Sequence, residues 1–98
     1  VRNKSQLSIR LHRIELANAL LKQLQQRGDS EGAHVWKHVV MPFAREKDVE
    51  VFEVWKAWDI LKEAGRRVVR IRGTWTILSF EPLEFDADGE ILSREGNR

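Results

Sequence analysis

The chain has 98 residues, 42% apolar and 33% charged, with a net charge of +2 and no cysteine. That balance fits one small soluble globular domain and excludes a disordered tail, disulfide staples, thiolate metal sites and cysteine nucleophiles. The longest apolar run, residues 39–44, is interrupted by Pro42, so no membrane span or signal peptide is expected and the expected compartment is cytoplasmic.

Charge is distributed in blocks. Residues 1–28 carry six Lys/Arg against Glu15, and residues 66–79 carry four Arg and no acid. The intervening residues 29–65 and the final residues 80–98 are net acidic. An anionic partner would meet the two basic blocks. The chain opens at Val1 rather than Met, which raises the expectation of a fragment of a larger protein.

Residues 5–27 read as one long helix. Leu7, Leu11, Ile14, Leu21 and Leu24 recur at spacings of three, four and seven, and Leu16 and Leu20 widen the stripe. Ser5 is the candidate N-cap and Gly28 the residue that ends the helix. The stripe is wider than one side of a chain this size would cover. Leu7, Leu11 and Ile14 are therefore candidates for a homodimer surface or for contact with the rest of a larger chain. Asn18 interrupts the seam, either as an edge position near solvent or as a polar residue setting register between helices.

The segment 29–32 reads as a turn and N-cap. A second helix is expected over 33–40, with Trp36, Val39, Val40 and Phe43 on one side. It should stop near Val40 or Met41 because Pro42 lacks an N–H, leaving an irregular turn to Lys47. Asp48 is the candidate N-cap of a third helix, 49–64, whose apolar arc holds Val51, Val54, Trp55, Trp58 and Leu61. Phe52 falls among charged residues, so it either packs under another element or meets a partner.

After Gly65 the period changes to two. Residues 68–72 and 74–80 read as an antiparallel hairpin turning at Arg72-Gly73, with a three-residue bulged loop as the alternative. A two-residue turn puts Arg70 opposite Trp75, within reach of guanidinium–indole stacking. Residues 83–85 and 90–92 flank a last turn, Asp86-Ala87-Asp88-Gly89.

The join between the third helix and the hairpin reads Leu-Lys-Glu-Ala-Gly, six further residues, then Arg-Gly-Thr-Trp-Thr-Ile-Leu-Ser-Phe. This pattern, over residues 61–80, resembles the end of the third helix and the β-wing of winged helix-turn-helix domains. The resemblance implies an α+β, winged-helix-like fold: three helices, a β-hairpin wing and here a short C-terminal β element. It also implies DNA binding and dimerisation. In that family the third helix enters the major groove. Here the third helix is net acidic, and duplex DNA would repel it unless its acids point away. The candidate nucleic-acid contacts are therefore the wing residues Arg66, Arg67, Arg70 and Arg72, with Trp75 as a stacking surface. The competing reading of the same arginines is a solvated hairpin face.

His34 and His38, four apart, share a helix face, as zinc ligands can. Without a third ligand they read as a wet basic face with Lys37 and Arg45, and no metal is expected. Asp86-x-Asp88-Gly89-Glu90 has part of a calcium-loop spacing but reads as a hairpin turn. The four tryptophans read as core. No phosphate-binding loop, nucleophile elbow or carboxylate pair is present, and no cofactor or enzymatic activity is expected. The functional expectation is a non-enzymatic DNA-binding module. The alternatives are a protein-interaction or dimerisation domain using the acidic third helix and Phe52, or an accessory domain of a larger plasmid or phage enzyme.

Overall fold

The first helix, α1 (Lys4–Arg27), is opened by Asn3 rather than Ser5. The Asn3 side chain accepts from the Gln6 amide at 2.8 Å, and the Gln6 side chain accepts in return from the Asn3 amide. This reciprocal cap satisfies two otherwise orphaned donors. Gly28 ends the helix at φ 76°, a left-handed conformation that a Cβ would disfavour. The computed structural model describes residues 3–28, 31–32, 34–63 and 67–92.

A short strand, β1 (Glu31–Gly32), follows α1. The chain then winds through a π-helical segment, Trp36–Val40, directly into α2 (Met41–Lys47). The sequence predicts a stop at Val40 or Met41, and the structure corrects it. Pro42 falls in the first turn of α2, where its missing N–H is tolerated. The carbonyl of His38, which an amide at position 42 would have met, accepts instead from Arg27 Nη1 at 2.8 Å. The Met41 amide bonds back to Trp36, five residues earlier. That extra residue in the turn shifts the helical register. Val39, Val40 and Phe43 still reach the core, but Trp36 is 46% exposed, contrary to its expected place among them.

Asp48 does not cap the third helix. It closes α2 in the left-handed conformation, φ 53°, which Asp tolerates better than most residues. The third helix, α3 (Val51–Glu63), buries Val54, Ala57, Trp58, Ile60 and Leu61. Its expected end at Gly65 lies outside the described residues.

Strands β2 (Val68–Ile71) and β3 (Thr74–Ile77) form the expected hairpin. Arg72 and Gly73 at its tip have φ of 52° and 81°, the two consecutive positive angles of a type I′ turn. β1 pairs with the other edge of β3, giving an antiparallel sheet in the order β1-β3-β2. Strands β4 (Glu84–Phe85) and β5 (Ile91–Leu92) form a second, smaller hairpin. The fold is thus α+β, with three helices followed by two small antiparallel hairpins. Among the described residues, no helix is long and apolar enough to cross a membrane.

One apolar cluster joins the elements. Ile14, Leu21, Val40, Val54, Leu61 and Val68 within it are inaccessible or nearly so. Ile14 therefore belongs to the chain's own core, which corrects its assignment to a partner surface. Leu7 and Leu11 are half-buried. The C-terminal segment supplies the cover that the sequence reading lacked. The Asn18 side-chain amide donates to the Leu83 carbonyl at 3.2 Å and accepts from the Leu83 amide at 2.7 Å. Further along, Arg10 Nε donates to the Gly89 carbonyl at 2.9 Å. Residues 83–89 thus run back along α1 as a strap. A Cβ on Gly89 would lie 2.7 Å from Arg10 Cγ, so this approach requires glycine. Asn18 is half-buried, and its side chain is engaged within the chain. It clamps the strap.

Candidate nucleic-acid interface

The hairpin β2–β3 carries the basic candidates, and the structure separates them by role. Arg66 lies outside the described residues. Arg67 directs Nε to the Glu81 carbonyl at 2.9 Å, while its backbone bonds Leu61 and Leu78. It fastens the hairpin base to the end of α3 and to the following segment. Arg70 and Arg72 are exposed and have no carboxylate partner among the described residues.

Strand register sets what Arg70 touches. Val68, Arg70, Trp75 and Ile77 share the inward face of the hairpin because Arg70 pairs with Trp75 and Val68 with Ile77. Val68 is buried, and Trp75 and Ile77 pack against the core. Arg70 sits beyond that packed edge with its Cζ 5.8 Å from the Trp75 ring centroid. Lys62, from α3, places Nζ 5.3 Å from the same ring. Trp58 meets Trp75 edge-on, with centroids 5.8 Å apart and planes at 85°. Trp75 is thus a half-buried pillar with two cations over it. Arg72, at the turn, extends from the tip.

The acids of α3 are largely engaged. Arg13 grips Glu53 with two parallel hydrogen bonds, Nε to Oε1 and Nη2 to Oε2, both 3.0 Å. The hydrogen bond from Arg13 holds the Glu53 carboxyl below the usual carboxylate range and, reciprocally, raises Arg13. Asp59 pairs with Lys62 at 3.1 Å. Arg13 thus adds one compensating charge from α1, while Glu63 remains exposed on α3.

Phe52 remains 55% exposed. Arg13 Cζ and Lys56 Nζ lie 5.6 and 5.1 Å from its ring centroid. Cation–π contacts account for an aromatic among charges without an overlying element. Beside it, Gln6, Ile9, Arg10, Arg13, Lys56 and Ile60 line much of a groove of about 840 Å³ between α1 and α3.

The two other motifs resolve locally. His34 and His38 are exposed, with rings edge to face at 5.6 Å. No group of three His, Asp or Glu suited to a metal occurs among the described residues. Asp86 Oδ1 accepts from the Asp88 and Glu90 amides at 2.9 and 3.0 Å, so its carboxylate builds the turn.

Sequence reasoning missed Trp36 as a surface residue. It stacks on Trp55, with centroids 6.0 Å apart and planes 19° from parallel. The signal was weak, since only the π-helical turn moves Trp36 off the apolar side. Compared with protein-family models, curated proteins and solved structures, the chain matched nothing.

Proposed function

We propose that the chain is a non-enzymatic, cytoplasmic nucleic-acid-binding module of winged-helix type, with the β2–β3 hairpin as its wing. The observation that carries this reading is the pair Arg70 and Arg72, exposed at the hairpin tip and unmatched by carboxylate among the described residues. Guanidinium groups bind phosphate bidentately, and unpaired surface cations release counterions from a polyanion. Three further features support it. The hairpin follows α3 and is fastened to it by Arg67. The sheet is completed by a strand from the α1–α2 connection. Two of the three acids of α3, Glu53 and Asp59, are paired with Arg13 and Lys62. On this reading α3 does not read base edges. Arg70 and Arg72 hold phosphates, and the α3 face lies alongside the strand.

The test is fluorescence anisotropy with labelled DNA, comparing the native chain with an Arg70→Ala/Arg72→Ala variant. Affinity should fall about tenfold or more while the melting temperature stays within a few degrees, since exposed charges contribute little to stability. Equal affinity in the two proteins would reject the hairpin as the interface.

A protein partner is the second reading, favoured by Phe52 and the α1–α3 groove beside it. A second copy of the chain, or the remainder of a larger one, would meet α1 at the exposed Ile9 and the half-covered Leu7 and Leu11.

A further inference from the structure

Four tryptophans form two contacting pairs at the seam between α3 and the sheet. Trp36 stacks on Trp55. Trp55 and Trp58 stand three apart on α3, hence on adjoining turns of the same face. Trp58 meets Trp75 edge-on, and Arg70 lies over Trp75. The two pairs belong to neighbouring parts of the chain: Gly32, four residues before Trp36, pairs with Trp75 in the sheet. The exposed member of the first pair is Trp36. One of its faces is backed by Trp55, and no other ring or cation is seated on it among the described residues.

This arrangement is costly to keep. An exposed indole leaves a large apolar surface in water. The π-helical turn that puts it there is a rare element, and such turns recur at functional sites. An exposed indole backed by a second one, with exposed arginines on the hairpin beside the same sheet, offers the two parts of a single-strand binding surface, a stacking platform and a phosphate grip. Intact duplex cannot use the platform. Its bases are already stacked on one another and present only their edges in the grooves.

We infer that the Trp36–Trp55 stack is a platform for an unpaired nucleobase, and that the ligand is single-stranded or locally opened nucleic acid. The inference rests on the reading of the hairpin as a phosphate-binding wing and adds the strand state of the ligand. Trp36 supplies the base contact, and Arg70 and Arg72 hold the flanking phosphates.

The experiment titrates the chain against a short labelled oligothymidylate and a duplex of equal length, using the native sequence, Trp36→Ala, Trp36→Phe and Arg70→Ala/Arg72→Ala. Native chain should bind the single strand more tightly, with quenching of tryptophan fluorescence. Trp36→Ala should weaken single-strand binding about five- to a hundredfold, leave duplex binding within about twofold, and lose part of the quenching. Trp36→Phe should recover most of the affinity, which a merely unfolded variant could not. Unchanged single-strand affinity in Trp36→Ala, or duplex binding at least as tight as single-strand binding, overturns the platform. If the arginine variant still weakens binding in that case, the wing reading stands. Absence of binding to either oligonucleotide overturns both.

Discussion

Glu53 shows how a single pair changes the meaning of a sequence. By composition it adds to an acidic helix, but in the fold it is tied to Arg13 forty residues earlier. Because its carboxyl is held below its unfolded value, the pair's contribution is present above the unfolded carboxylate range, about pH 4.3, and is lost as pH falls through the lower folded value. Glu53→Gln should cost about 0.5–1.5 kcal/mol at neutral pH. Urea unfolding should show that difference shrinking as the buffer is taken below about pH 4. A difference unchanged into acid would mean that the ion pair contributes nothing. Asn18 makes the same point for a neutral group. Its two bonds to Leu83 reach across 65 positions, so no local pattern could announce them. Asn18→Ala leaves a backbone donor and acceptor unpaired and should lower stability by about 1–3 kcal/mol. A loss under about 0.5 kcal/mol, within the range of ordinary surface substitutions, would remove the clamp from the account.

At the scale of elements, legibility followed locality. The β2–β3 hairpin could be read, including the Arg70–Trp75 register, because a period of two and one glycine leave few ways to turn. α1 was legible from its stripe and from Gly28. The α2 region was not, because the carbonyl left by Pro42 is met by Arg27 from another helix. Asp48 was misread because the same side chain suits an N-cap and a left-handed helix end. The type I′ turn also carries a testable conflict. Arg72 sits at φ 52°, where a non-glycine residue is strained and Asn-Gly is the favoured pair. Arg72→Asn should therefore raise stability by about 0.5–1 kcal/mol while weakening nucleic-acid binding. Thermal melts and anisotropy titrations on the same preparation read both effects. A variant that loses stability would show that Arg72 serves the fold rather than the ligand.

For the whole molecule, the segment after β3 decides how much of α1 remains open. It meets α1 through Leu83 and Gly89, and Ile14, taken from the sequence as partner-facing, lies inside the core. Leu83 is 3% exposed. Leu83→Ala should cost about 2–5 kcal/mol in urea unfolding, against little change if the strap were loosely laid on the surface. The pairing proposed for α1 predicts a melting temperature that rises with protein concentration and falls with Leu11→Ala. Concentration independence, with a sedimentation mass of 11.5 kDa, would leave no homodimer. Phosphate binding by Arg70 and Arg72 does not depend on the pairing of α1. Those phosphate contacts are read by the salt dependence of binding to single-stranded DNA for the native chain and the Arg70→Ala/Arg72→Ala variant. A plot of log affinity against log salt should slope downward for the native chain, and the variant's slope should be shallower by about 1–2, as expected for the loss of two phosphate contacts. Parallel slopes would contradict those contacts.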